Sequence, residues 1–586
     1  MYPHNNRVLT SILIAALLLG TAMPVCAHAT ENRSAVEVTA DSDTGLTQSK
    51  VTKINNLLSP WRSVDAPGVS VSIALDDKRV YSTGVGMAEI EQGQRIKPET
   101  VFMVASVSKQ FTAFATLLLV DEGQIGLDQS IRTYLPELGS YADEITIRHL
   151  LDHMGGLRER NTLPIMAGRR NDDVDTHADS LAIVFRQQGV NFSPRAKVEY
   201  SNTGYALLAE IVARVSGQSF AEFTKAQIFD PLGMTQTLFP SNRNLLIPKR
   251  AAAYDLQADG VSRVIDNDEM IGSTGLYTTA PDLLRWADNF RTMTVGNEAV
   301  MKMMKVRNKA DNGDPSTLAK GQELRPYKGF DTWSHGGTDG GYKSFLLRIP
   351  SAGMAVSLLS NQSDFDTAKI AFALADIVLE DHPDFRPEPA AGWMPASADQ
   401  MQAYAGNYAM FPGNILTVAH IDGGLAMGNF SSSPDNFSSL PQIGPREFLL
   451  NPARNISIRF AEARDGVSAK FDYVIGLHGS IPALRVSLSP FVSGDVELED
   501  YVGVYHSEEL ETDYALSVED GALVATLGRH CCISPFTLSA YQPDEFMGMG
   551  GPLEHVLFTR DKRGRVTGFK ASAKLAEGIR FVRRDD

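Results

Sequence analysis

Cysteine is almost absent: the 586-residue chain has three, Cys26 and the neighbours Cys531 and Cys532. So few cysteines build neither a disulfide framework nor a zinc-type site, and stability has to come from packing. The adjacent pair admits two states, a strained vicinal disulfide or two buried thiols. Cationic charge is also short, with 54 Lys and Arg against 70 Asp and Glu and a formal net charge of −16. A surface that acidic argues against nucleic acid and against an anionic membrane as partner. No extended low-complexity tract occurs, and 43% apolar with 21% charged residues is the composition of a folded globular protein.

The chain is longer than one hydrophobic core usually organises, so several domains are expected. Arg7, the apolar run Val8 to Leu19 and Ala27-His28-Ala29 together have the form of a cleaved export signal over residues 1–29. The run is shorter than the roughly 20 residues of a membrane-spanning helix, so no stable membrane anchor is expected. Pro24-Val25 ahead of Cys26 speaks against lipid attachment there. From about Val51 to Glu380, strand-like segments such as Val69 to Leu75 alternate with amphipathic helical stretches. Between Pro383 and Pro395, with Pro387 and Pro389 inside, the composition suits neither helix nor central strand. A main domain over 30–385 and a linker over 386–397 follow. Beyond it come short alternating strands with hairpin signals at Asp422-Gly423 and Asp520-Gly521. Tyr404-Ala405-Gly406-Asn407-Tyr408 is echoed by Tyr501-Val502-Gly503-Val504-Tyr505, and Leu416-Thr417-Val418 by Leu516-Ser517-Val518. Two small antiparallel barrels, lipocalin-like in shape, are expected over 398–492 and 493–586.

Ser106-Val107-Ser108-Lys109 precedes a segment with helical apolar spacing that runs to Leu119, with a stop at Gly123. The spacing predicts Ser106 at a helix N-terminus, where the dipole and open N–H groups favour developing negative charge. Lys109, three residues on, emerges on the same face. A serine hydroxyl needs a proton acceptor to become nucleophilic, and a lysine serves only if burial or neighbouring cations lower its pKa. A charged lysine would in turn push a nearby Tyr towards phenolate. Tyr200-Ser201-Asn202 offers such a tyrosine, with Tyr200 and Asn202 on one side of an extended segment. The alternative for Asn202 is a helix cap. In Trp333-Ser334-His335-Gly336-Gly337-Thr338, the glycines admit a ligand backbone to a strand edge. The Thr338 and Ser106 N–H groups would then form an oxyanion hole, each donor worth about 2.7 to 4 kcal/mol. His335 is placed to orient substrate. Arg169-Arg170 and Asp172-Asp173 read as a solvated loop.

Ser106-x-x-Lys109, Tyr200-x-Asn202 and His335-x-Gly337, in that order, resemble the serine hydrolases related to class C β-lactamases and penicillin-binding proteins. Gly126-Leu127-Asp128, Thr146 to Leu151 and Tyr200 to Tyr205 also read as in that family, and the resemblance covers about residues 51–380. It implies an α+β fold, an antiparallel sheet flanked by helices plus a helical subdomain, with Ser106, Lys109 and Tyr200 catalytic. Asn202, His335, Gly337 and Thr338 are then substrate and oxyanion residues, and no metal or organic cofactor is required. Tyr505 to Leu510 and Leu575 to Ile579 resemble the third domain of D-aminopeptidases, in which a loop helps shape the active site. The matching stretch here, Met547 to Pro552, is short and lacks an acid. His153-Met154-Gly155-Gly156-Leu157 departs from a common family pattern and reads as a loop variation. With the export signal, which places the chain in the periplasm or outside the cell, the resemblance implies a hydrolase acting on an amide or peptide, with a carboxylesterase or a slowly turning-over penicillin-recognising protein as alternatives. The expected partners are a small-molecule, peptide or ester substrate and a second copy of the chain as homodimer. β-Lactam hydrolysis fits less well, because His335 stands where a fixed lysine cation is usual.

Overall fold

A computed structural model describes residues 45–584 except 171, 259, 314–317, 388–393, 422, 431–432, 452–455, 476–479, 489–495 and 528–532. The expected signal segment, Cys26, Cys531, Cys532 and part of the expected linker lie outside the described residues.

Seven strands form the central sheet: β1 (Val69–Leu75), β2 (Lys78–Val85), β3 (Leu318–Ala319), β4 (Gln322–Tyr327), β5 (Phe330–Asp339), β6 (Tyr342–Ile349) and β7 (Met354–Ser360), in the order β2-β1-β7-β6-β5-β4-β3. Every neighbouring pair is antiparallel. β1 shows why these residues make a central strand. Val69, Val71 and Ile73 point into one core while Ser70 and Ser72, also buried, face the other side, and Ser72 pairs with Ser82 of β2 through their hydroxyls at 2.8 Å. Helix α1 (Gln48–Leu57) and the C-terminal helix of this domain (Thr367–Leu379) cover the first face through Val51, Ile54, Ala371 and Phe372.

The long insertion between β2 and β3 holds the helical half, including α2 (Ser108–Asp121), α3 (Asn202–Ser216) and α4 (Ala280–Thr292). Residues such as Phe111, Phe114, Tyr205 and Trp286 are buried there, each contributing on the order of 1.5–3 kcal/mol. The α+β class, with sheet flanked by helices, is as the sequence led us to expect.

Both C-terminal units are antiparallel β. The first is a nine-stranded sheet whose edge strands, Ser438–Leu440 and Gln442–Gly444, are separated in the chain by Pro441 alone, so it is nearly closed. The second is an eight-stranded closed barrel with neighbours in sequence order, the up-and-down arrangement. The repeated Tyr-x-Gly-x-Tyr is a repeated contact: Tyr408 Oη donates to the Tyr404 carbonyl and Tyr505 Oη to the Tyr501 carbonyl, each at 2.8 Å. A Cβ on the middle glycine would lie 2.6 Å from Arg485 in one unit and 2.9 Å from Arg583 in the other. The second echo needs a correction. Gly406 pairs with Val418 but Gly503 with Leu516, so Val418, not Leu416, is the counterpart of Leu516: the first hairpin turns through two residues between Phe411 and Asn414, with a bulge near Ala409, and the second through four between Ser507 and Thr512.

The second barrel shares one continuous apolar core with the helical half, whereas the first has its own core around Tyr408, Phe448 and Phe460. Met547, which opens the short stretch matched to the D-aminopeptidase loop, packs with Ile415 and Tyr541 between the two β units. The barrel reaches the catalytic domain elsewhere. Glu509 forms a buried ion pair with Arg158 and accepts the Gln188 N–H at 2.8 Å, while the Leu575 carbonyl accepts the Glu159 N–H at 2.9 Å. These residues belong to the two segments whose sequence had pointed to that third domain.

Candidate active site

Ser106 sits in a single 3-10 turn, Ala105–Val107, just ahead of α2, rather than in its first turn proper. Ala105 has φ of +46°, a left-handed conformation that a non-glycine residue adopts only where its surroundings impose it. Part of that imposition is visible at Gly337 of β5. A Cβ there would come within 2.2 Å of the Val104 carbonyl oxygen and 3.1 Å of the Ala105 Cβ. The glycine is thus needed for close approach of the protein's own nucleophile turn. Ser108 is spent structurally, its Oγ accepting the Leu276 N–H at 3.1 Å.

Lys109, on the first turn of α2, is completely buried. Its Nζ donates to the Ser273 carbonyl at 2.7 Å, to Asn202 Oδ1 at 2.8 Å and to Ser106 Oγ at 3.2 Å. All three acceptors are neutral. Burial therefore dominates and brings Lys109 down to about 7, with Glu159 opposing and Arg160 assisting at longer range.

Ser201 is the N-cap of α3, accepting the Gly204 N–H at 3.1 Å, which leaves the Asn202 side chain for Lys109 and removes the capping alternative. Tyr200 lies against the same ammonium, its ring centre 4.7 Å from Nζ, and its hydroxyl is hydrogen-bonded with Ser106. The expected phenolate is not favoured: burial pushes Tyr200 well above the usual tyrosine range, with the Ser106 hydrogen bond only a partial offset.

His335 is buried on β5, and its Nδ1–H donates to the Gly336 carbonyl at 2.6 Å, so Nε2 carries the lone pair. Burial first and Lys109 second lower it to about 4, and it is neutral at pH 7. Past Ser334, β5 pairs with β6 alone, so one edge of the segment bearing His335, Gly337 and Thr338 is left unpaired by β4. The Thr338 hydroxyl accepts from Lys343 at 3.1 Å.

Sequence reasoning missed several groups. His153, read as a loop residue, has φ of +59°, stacks on Tyr200 at 4.7 Å between ring centres and accepts the Ser201 N–H at Nδ1. Glu159 is buried and accepts from Ser201 Oγ at 2.7 Å and the Thr203 N–H at 3.2 Å. Half-buried Asp339 accepts from Thr274 Oγ1 at 2.7 Å, and desolvation raises its carboxyl. A cavity of about 660 Å³ adjoins this region at Gly275, where Asp266 is pushed up to about 7 by burial and by Asp339. The Arg169–Asp173 segment is the solvated ion-pair loop expected. Among the described residues, no cluster of His, Cys, Asp and Glu is placed to hold a metal ion, and no helix is long and apolar enough to cross a membrane.

Residues 55–379 match the family described as Beta-lactamase. "Penicillin-binding protein 4*" of Bacillus subtilis strain 168 is 28% identical over 397 residues, covering 61% of this chain and 84% of the relative. A D-aminopeptidase of Brucella ovis is 22% identical over 536 residues, covering 88% of this chain and 96% of its own. In three dimensions, the octameric penicillin-binding protein homologue from Pyrococcus abyssi aligns over 75% of this chain and 99% of its own with a TM-score of 0.53 at 22% identity, a likeness of fold.

Proposed function

This chain belongs to the beta-lactamase family of serine hydrolases, and we propose that it cleaves amide or peptide bonds through an acyl-enzyme on Ser106. The observation that carries the reading is the environment of Lys109. A neutral amine has two N–H groups and one lone pair. The two shorter contacts, to Ser273 O and Asn202 Oδ1, take the N–H groups, and the lone pair is left facing Ser106 Oγ at 3.2 Å. That arrangement suits a general base poised near neutral pH.

In this mechanism Ser106 Oγ attacks the acyl carbon while its proton passes to Lys109 Nζ. The oxyanion is received by the backbone N–H groups of Ser106 and Thr338. Tyr200, still a neutral phenol, hands a proton to the leaving nitrogen and is reprotonated from Lys109. Water then attacks the ester with Lys109 again as base. Asn202 holds the amine in register, and neutral His335 borders the substrate without supplying a fixed positive charge. That absence of charge disfavours carboxylate-bearing β-lactams and supports an uncharged or amine-bearing acyl donor. The full-length coverage of proteins named D-aminopeptidase supports a D-amino-acid amide or peptide. The sequence features at residues 1–29 support export to the periplasm or beyond, and the proline-rich stretch supports a linker over 386–397.

The test is a chromogenic panel of D- and L-amino-acid anilides, short acyl esters and a cephalosporin, with intact-mass detection of the acyl adduct. We expect hydrolysis of an anilide, an adduct on the wild type and neither with Ser106→Ala. Equal, slow turnover by wild type and Ser106→Ala on every substrate would overturn the reading. Ester turnover with no anilide turnover would move the assignment to a carboxylesterase.

A further inference from the structure

A second cavity, of about 580 Å³, lies between α4 and the sheet and shares no residue with the constellation around Ser106. Its floor follows from strand register. Arg79, Ala74, Ala355, Arg348 and Trp333 are successive cross-strand partners over β2, β1, β7, β6 and β5. The two alanines in the middle leave room under α4 that larger side chains would fill. The result is a trough with an arginine on either side of the alanine pair, the two separated by roughly 14 Å at about 4.8 Å per strand.

Arg348 is the unusual member. It is buried, its guanidinium lies 3.5 Å from the Phe290 ring centre, and among the described residues it donates to the Gln322 amide oxygen. Among the described residues no carboxylate offsets its burial, which alone pulls its pKa down to about 9. A buried guanidinium with no counterion is costly to fold around unless an anion visits it. The other charges agree. The lining carries Arg79, Arg285, Arg291, Lys305 and Arg348 against Asp77 and Asp288, and both acids are already paired with Arg291. In a chain with net charge −16 this pocket is locally cationic.

We propose that this trough is a binding site for a small organic anion, a carboxylate or phosphate monoester, whose charged group meets Arg348 and whose apolar body lies on Ala74 and Ala355 beside Trp333. The guanidinium edge left by Phe290 and Gln322 supplies charge-assisted donors, and Arg rather than Lys suits a planar two-oxygen acceptor. Trp333 and His335 lie two apart on β5, so the trough opens one residue pair along the strand from the catalytic edge.

Isothermal titration of the full chain with phenyl phosphate, benzoate, inorganic phosphate and benzyl alcohol tests this, with Trp333 fluorescence as a second readout. The expected result is one saturable site for phenyl phosphate or benzoate, weaker binding of inorganic phosphate and none of benzyl alcohol. Whichever organic anion binds more tightly assigns the headgroup. Ser106→Ala should bind unchanged, and Arg348→Gln should weaken binding by about tenfold or more. Ala355→Leu, which fills the floor and leaves every charge in place, should weaken it comparably. Exposed Arg79→Ala gives a smaller loss and covers the case in which Arg348→Gln does not fold. The proposal fails if neither organic anion binds folded wild type, or if affinity is unchanged by Ala355→Leu and by the arginine variants.

Discussion

Among the described residues two lysines are buried, Lys109 and Lys320, and their surroundings differ in one respect. Lys109 has three neutral oxygens around its Nζ, whereas Lys320 is ion-paired with buried Asp152 and also donates to the Val306 carbonyl at 3.1 Å. Burial is common to both. What differs is the counterion, and with it the use: an ammonium without a carboxylate beside it is easily deprotonated and free to accept a proton, while one held by a carboxylate is a structural tie. The same fold thus builds a base and a strut from one residue type.

The largest effect expected from breaking this contrast is on hydrolysis. Lys109→Met should lower kcat by roughly four orders of magnitude or more, like Ser106→Ala, since such groups act as a unit. Its thermal stability should stay close to wild type, because removing a buried amine that has no counterion offsets the loss of its hydrogen bonds to Asn202 and Ser273. Next comes Asp152→Asn, which strands the Lys320 charge and should cost about 3–5 kcal/mol in denaturant unfolding. Activity per folded molecule should survive it. The double variant Asp152→Leu with Lys320→Met should recover most of that loss.

Glu159→Gln sharpens the comparison from the catalytic side. Glu159 favours the protonated form of Lys109 from a distance, so its neutral replacement should shift the acid limb of the activity profile to lower pH while keeping the hydrogen bond from Ser201. The last effect is on the pH dependence of stability. Lys109 is lowered from 10.5 to about 7. Between those values the unfolded chain binds the extra proton, so this group makes stability rise with pH across that window. Lys109→Met should flatten the rise, as read by urea midpoints from pH 7 to 10.

Much of the site could be read from the chain because its chemistry is concentrated in short segments: Ser106 and Lys109 one helical turn apart, Tyr200 and Asn202 around a helix start, His335 and Gly337 on one strand. β1 was legible for the same local reason, its alternating Val, Ser and Ile. The remainder is made by contacts distant in sequence. Lys109 meets Ser273 across 164 positions and through a backbone carbonyl, which carries no side-chain signature. Arg158 meets Glu509 across 351 positions, and neither has a local pattern to mark it. His153 was misread because its left-handed backbone and its stacking on Tyr200 exist only once the helical half has packed. The direction of the Tyr200 shift was likewise a matter of burial, which the motif does not encode.

The most direct test of Lys109 as the base is the pH dependence of the acylation rate, measured in single turnover with an activated ester between pH 5 and 9. The account predicts a rate that rises with pH through a single ionisation near 7, and that is lost together with the step in Lys109→Met. A rate that is flat across this range, or that rises only above pH 9 with Lys109→Met still acylating, would contradict it.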